Sequence, residues 1–276
     1  MKINNRWYLD DAVAGIITAI LLVGLIVIVI SLIQTTYVPK WMRAIEAEHM
    51  GDVADQFSLL KSAIDIQTAT GQKTPMSASI TLGNKEIPYF SASRAYGSLS
   101  ILSDKCIVTI RNSSTSFSYS LGIIKYSSKN VYYLDQSYIY EAGSIILNQS
   151  EGNIMSITTF SAINDASVNI TFDIVNITGV GGRTSVGGYG TYPIRTEFVS
   201  SNNIVMNDTK NITIVTSYPN AWHLAFNNTL IRSVGFTYGT DFSITDSTEE
   251  VIIEFYGIST VDLSLNIIEI NAWITA

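Results

Sequence analysis

The sequence predicts an α+β protein: a long N-terminal hydrophobic and amphipathic helix, then an antiparallel β-sandwich-like ectodomain with one short helix. Three observations predict this. Residues Ala12 to Ile33 carry no charge and are almost wholly apolar. Apolar residues then recur at helical spacing to about Thr70. From Met76 onward the period falls to two, in short runs separated by Gly, Asn, Ser and Asp turns.

The apolar run reads AVAGIITAILLVGLIVIVISLI. At about 1.5 Å per residue it spans roughly 33 Å, enough to cross the hydrocarbon core of a bilayer. It is longer than the apolar core of a secretory signal, and no small-x-small cleavage site follows in QTTYVPKW. The sequence therefore predicts a single-pass protein of the cell membrane with a large extracellular C-terminal domain. Residues 1–11 form a short cytoplasmic tail or leader, 12–33 a transmembrane or filament-core helix, and 34–71 an amphipathic stem. Residues 76–276 form the β-rich domain, with a candidate subdivision near 165 (Asn164 to Ala166). Lys2 and Arg6 precede the run while Lys40 and Arg43 follow it, so charge discriminates orientation poorly. Orientation rests on the short tail and the Asn-rich β region. Within the run, Ala12, Ala14, Gly15, Ala19 and Gly24 are small enough to permit close helix–helix approach.

In the stem, Trp41, Ile45, Val53, Phe57, Leu60 and Ile64 share one predicted helical face, opposite Glu46, Asp52, Asp55 and Lys61. Gly71 reads as the residue just past the helix end, with Pro75 beyond it. Pro39 predicts a kink or short break between the two helical segments. Tyr37 and Trp41 fall at the depth of the outer headgroups, where amphipathic rings are favoured.

The β region alternates apolar and polar residues in SASITLG, SLSILS, CIVTIRN, VNITFDIVN, NITIVTS, EEVIIEFYG and VDLSLNIIEI. Many short strands without intervening helices argue for antiparallel sheets. PNAWHLAFNNTL is the exception. Pro219 suits a first helical turn, and Trp222, Phe226 and Leu230 are four apart, so a short helix is expected there. The stretch Gly179 to Tyr192 is rich in glycine, but it lacks a G-K-[ST] ending and a following helix. It predicts a mobile turn between strands rather than a phosphate loop.

Composition limits function. The net charge is −7, and Lys2 and Arg6 balance Asp10 and Asp11, so the whole excess lies after the apolar run. An acidic ectodomain has no footprint for nucleic acid. Cys106 is the only cysteine, which excludes an intrachain disulfide and a cysteine-based metal cluster. His49 and His223 lack metal-ligand spacing. Glu249–Glu250 reads as a solvated strand start. No G-x-S-x-G, Walker or acidic Ca²⁺-loop pattern occurs. The expectation is a protein that is not an enzyme, with no catalytic residue, cofactor or metal; a tethered exported hydrolase is the remote alternative. The positive chemical signal is N-x-[ST], which occurs at Asn112, Asn148, Asn169, Asn176, Asn207, Asn211 and Asn227 as candidate N-glycosylation sites. The pairs Asn169–Thr171 and Asn211–Thr213 are predicted to face solvent.

The run Asp10-Asp11-Ala12-Val13-Ala14-Gly15-Ile16-Ile17 resembles the start of archaeal type IV pilin-like proteins, where D-x-A-V-[SA]-x-[VI]-[VI] opens a single hydrophobic helix. Val38 to Asp65 is similar to a membrane-proximal segment in archaeal surface proteins of that broad group. YIYEAGSII and TSYPNAW resemble elements of their β-rich ectodomains. The chain departs from the pattern at the processing position, where Leu9, Asp10 and Asp11 replace a basic and a small residue. Ala14-Gly15 also replaces the common Ser-Pro pair. The resemblance implies a helical stem with a β head and a structural or adhesive role at the cell surface. Its implied partners are the membrane, identical subunits in a filament, surface glycans and other surface proteins. The alternative is a permanently anchored extracellular binding domain that forms no filament.

Overall fold

The computed structural model describes residues 6–84, 95–164, 167–256 and 260–275, with side chains from Val13 onward. Two helices run end to end. α1 (Arg6–Leu32) and α2 (Val38–Thr70) are joined by one π-helical turn, Ile33–Tyr37, so the rod does not break. The predicted kink at Pro39 is thus replaced by a widened turn just ahead of it. Proline has no N–H, and in a regular α-helix its ring collides with the carbonyl four residues back, here that of Thr35. A π turn moves that carbonyl aside without ending the helix. Gly71 closes α2 as expected: its φ of 63° is left-handed, and its N–H reaches the Gln67 carbonyl at 2.9 Å.

The strands follow. They are β1 (Met76–Thr81), β2 (Tyr96–Arg111), β3 (Ser116–Lys129), β4 (Gln136–Glu141), β5 (Ser144–Gln149), β6 (Gly152–Ile157) and β7 (Phe160–Asn164). Then come β8 (Val168–Gly179), β9 (Ser185–Gly188), β10 (Thr191–Met206), β11 (Asn211–Val215), β12 (Phe242–Asp246), β13 (Glu250–Phe255) and β14 (Val261–Ile274). They build a five-stranded sheet, β1-β10-β14-β8-β7, and a nine-stranded sheet along β12-β13-β11-β2-β3-β4-β5-β6 with β9 beside β2. Pairing is antiparallel except between β8 and β14, which run parallel inside the smaller sheet. The chain between those two strands leaves for the larger sheet and returns, the long crossover a parallel pair requires. Strands from both sides of residue 165 share both sheets, while residues 165–166 lie outside the described residues.

The expected short helix is α3 (Pro219–Thr229), extended by a π turn at Leu230–Val234. Trp222, Phe226 and Leu230 are buried, and the Phe226 ring stacks on Phe160 with centroids 4.1 Å apart. The core has two parts. One lies around α3 and the two sheets and includes Ile110, Phe172, Trp222 and Leu265; the other lies under α2 and includes Phe57, Leu60, Tyr126 and Ile270. β14 serves both, giving Leu263 and Leu265 to the first and Ile268 and Ile270 to the second. The sheets meet at Gly122. A Cβ there would overlap the Ile177 carbonyl, and the Gly122 N–H donates to Asn176 Oδ1 at 2.9 Å.

The glycine-rich stretch is pinned more firmly than the sequence predicts. Residues 185–188 pair with β2 as β9, and Tyr189 meets the Tyr96 ring edge-on at 5.6 Å. Glycine suits this contact because a Cβ at Gly187 would overlap the Tyr96 hydroxyl.

Candidate functional site: an apolar helix seated on a β head

From Val13 to Leu32 every side chain is exposed. Among the described residues, the helical run Val13–Thr70 is the one long and apolar enough to cross a membrane. Ala14, Gly15, Ala19 and Gly24 lie on this uncovered surface, and a Cβ added at Gly15 or Gly24 would meet nothing within 4 Å. The Ala12 side chain lies outside the described residues.

α2 is seated on the head through Met42, Glu46, His49, Met50, Val53, Phe57, Leu60, Ile64 and Gln67, all buried. Val53, Phe57, Leu60 and Ile64 therefore stand where the periodicity puts them. Trp41 and Ile45 do not: Trp41 is 47% exposed and Ile45 half-buried. The buried stripe passes through Met42 and Glu46, one residue later. Trp41 instead packs on Tyr37, with ring centroids 6.0 Å apart, at the end of the apolar helix.

Glu46 is the main correction. It was expected on the polar face, yet it is fully buried. Its carboxylate accepts three backbone N–H bonds from the β3–β4 loop: Val131 at 3.0 Å, Tyr132 at 2.7 Å and Tyr133 at 2.6 Å. Amides converging on an ionised carboxylate satisfy its charge as water would. One turn on, His49 Nε2 lies 3.1 Å from the Tyr126 hydroxyl, which donates to the Leu82 carbonyl at 2.9 Å. Burial holds the His49 pKa below its usual value. Farther along, Gln56 bonds both the N–H and the hydroxyl of Thr81. Gln67 donates to the Thr74 and Thr196 carbonyls and accepts from the Thr196 hydroxyl. The stem is thus bonded to the head along its length by polar groups, of which Glu46 reads as solvent-facing in the sequence.

A second buried acid lies deep in the head. Glu141 Oε1 accepts from the Thr216 hydroxyl at 2.6 Å and from Trp222 Nε1 at 2.8 Å. Oε2 is buried without a hydrogen-bond partner, and Cys106 lies alongside the carboxyl. Burial pushes the Glu141 pKa up to about 7, against the pull of its donors. Burial also raises the Cys106 thiol well above its ordinary value, so it stays protonated. His223 sits apart at the surface, with Nδ1 2.9 Å from Asp246 Oδ1. The described residues hold no group of three or more His, Cys, Asp or Glu placed for a metal ion.

Two open cavities border α2. The larger, about 530 Å³, lies between Lys61 and Asp65 on the helix and Asp173, Ser201 and Asn266 on the smaller sheet. The smaller, about 310 Å³, is lined by Glu48, His49, Asp52 and Asn84.

The N-x-[ST] asparagines divide by exposure. Asn169 and Asn207 are exposed, and Asn112, Asn148, Asn176, Asn211 and Asn227 are half-buried. The expected solvent face holds for Asn169 and Thr171. It does not hold for Asn211 and Thr213, which are half-buried on a strand flanked by β2 and β13.

A family profile spans residues 12–271, taking in apolar helix, stem and head together. The chain belongs to DUF7289, a family of unknown function. No curated protein and no solved structure matches it. The DUF7289 match treats the helix as part of the same unit as the head.

Two buried acids were missed by reading the sequence, Glu46 and Glu141. Glu46 left a signal: Met42, Glu46, His49 and Val53 are spaced by four, four less one and four, which is the buried stripe itself. Glu141 left none, because its donors Thr216 and Trp222 come from distant segments.

Proposed function

We propose that this DUF7289 chain is a pilin-like, membrane-anchored surface protein with a structural or adhesive role. The observation that carries the proposal is the division of one continuous helix, Val13–Thr70. Its first half is uncovered among the described residues, while its second half is seated along the β head. An apolar rod of that size needs lipid or other helices around it, since water tolerates no such surface. The head then stands outside the membrane and supplies the surface that neighbours or ligands meet. The opening residues Asp10 to Ile17 support the pilin-like form, in which subunits leave the membrane and pack by their helices. A second reading, a permanent anchor with a binding head, is favoured by Leu9, Asp10 and Asp11 at the processing position.

Mass spectrometry of the N-terminus of protein from its own cells tests the pilin-like form. A chain starting near Asp11 or Ala12 supports processing and assembly. An intact Met1 supports the permanent anchor. Protease added to intact cells tests the shared part of both readings: the head should be digested, and its complete protection until lysis would exclude an external head.

A further inference from the structure

The N-x-[ST] sites are spread along the chain, but four of them gather in the folded molecule. β10 passes the end of the stem at Thr196, whose hydroxyl donates to Gln67 Oε1 at 2.9 Å, and runs on to Met206. Asn207 opens the turn that follows. The β2–β3 turn lies beside it, with Asn112 Nδ2 donating to the Asn207 carbonyl at 3.2 Å. Asn211 pairs with Arg111 at the end of β2. Asn169 pairs with Asp262, whose Oδ1 accepts the Asp208 N–H at 3.2 Å. Glu46 and the β3–β4 loop lie at the other end of β3 from the Asn112 turn. Asn112, Asn169, Asn207 and Asn211 therefore share the end of the head remote from the apolar helix.

We propose that this end carries N-linked glycans at Asn169 and Asn207, and that Asn176 stays bare. The proposal rests on the head lying outside the membrane, as proposed above. A glycan needs an exposed side-chain amide with room for a bulky substituent. Asn207 is exposed, and the contact made there by Asn112 uses its main-chain carbonyl. Asn169 is exposed, and its Nδ2 makes only a long local bond, 3.3 Å to the Ser167 carbonyl. Asn176 is the opposite case. Its Oδ1 accepts the Gly122 N–H at 2.9 Å and its Nδ2 donates to Glu269 Oε2 at 2.9 Å, where the two sheets touch. A sugar on Nδ2 would force the sheets apart.

In the reaction, Nδ2 attacks the anomeric carbon of a sugar carried on a lipid-linked phosphate donor. The N–C bond forms as the C–O bond to phosphate breaks. The phosphate leaves with the electron pair, and Nδ2 gives up one proton.

The test uses full-length protein from its own membranes. Cleavage before Asp165 and Asp173 isolates Asn169 on residues 165–172, and cleavage after Arg195 and Lys210 isolates Asn207 on residues 196–210. Mass spectrometry with electron-transfer fragmentation then locates any sugar. Sugar increments on both peptides are expected, with none on Asn176. Asn169→Gln and Asn207→Gln should each remove one glycan from the intact mass. Bare peptides at both sites, or sugar on Asn176, would overturn the proposal. If both peptides are bare while protease digests the head on intact cells, the glycan sites are wrong and the external head stands. If the head is protected, the external placement fails and the glycans fail with it.

Discussion

Glu46 and Glu141 are both buried carboxylates, and their surroundings give them opposite roles. Glu46 meets three N–H donors from one loop, which between them occupy both carboxylate oxygens. Glu46→Gln keeps the shape but turns an NH₂ group toward those donors, so at least one loses its acceptor. The loss should be on the order of 3 kcal/mol, close to that of Glu46→Ala. Hydrogen exchange at the amides of Val131, Tyr132 and Tyr133 should accelerate in both variants; unchanged protection would mean that the carboxylate does not hold the loop. Glu141 has two donors on one oxygen and none on the other, and its folded pKa of about 7 lies above its ordinary 4.5. The folded state therefore holds a proton that the unfolded state has released. The stability contributed by Glu141 should be fully present below pH 4.5, be lost as the pH rises towards 7 and change no further above, a difference on the order of 3 kcal/mol. His49 acts in the other sense. Its folded pKa is lowered, so its contribution is lost as the pH falls below 6.5. Comparing wild type with Glu141→Gln across pH 4.5 to 8 separates the two: the difference should follow the Glu141 titration alone. The amide can still accept from Thr216 and Trp222, so the variant should be the more stable of the two at pH 8. Parallel pH–stability curves would show that the Glu141 carboxyl does not titrate in this window.

At the scale of elements, α2 is the part whose burial decides whether stem and head form one body. Phe57 is fully buried and packs on Tyr138, with ring centroids 5.8 Å apart. Phe57→Ala should destabilise the head by about 3–5 kcal/mol, measured by denaturant unfolding in detergent. A change within a few tenths would mean that the stem is not docked in solution. Leu59, by contrast, is 65% exposed on the outer face, and Leu59→Ala should leave the same unfolding curve nearly unmoved. Both helices, the Gly71 helix end and the strands β1, β2, β8, β11, β13 and β14 were legible because each is written in local periodicity or a local cap. The phase of the stem was legible only in part. Trp41 looks like a core residue by composition, but its place is decided by Tyr37 and by the end of the apolar helix. The parallel β8–β14 pair could not be read, since pairing between segments so far apart leaves no local pattern. The same is true of the bonds from Glu46, Gln56 and Gln67. Each is a polar side chain whose partners come from another part of the chain: the β3–β4 loop for Glu46, Thr81 for Gln56, and Thr74 and Thr196 for Gln67.

For the whole molecule, the question is what covers the apolar helix. Its residues from Val13 to Leu32 are exposed among the described residues, and in the proposed function lipid or other copies cover them. The two coverings make different demands on its small residues. Lipid is fluid and accepts any apolar profile, so Gly15→Leu or Ala19→Leu should insert as well as the native helix. A helix neighbour is rigid, and close approach at a small residue is closed off by a larger one. Among the described residues nothing lies within 4 Å of a Cβ at Gly15, so that substitution should leave the packing of the head on its stem unchanged. In the pilin-like form, both substitutions should abolish or sharply reduce filaments while membrane fractionation stays unchanged. In the permanently anchored form, both should be silent. Electron microscopy of cells expressing each variant, with fractionation alongside, decides between them. Cells that express abundant native protein and show no filaments would leave the anchored head as the description that fits. The head would keep the same seat on its stem in either case, because the contacts from Met42 to Gln67 do not involve the apolar half.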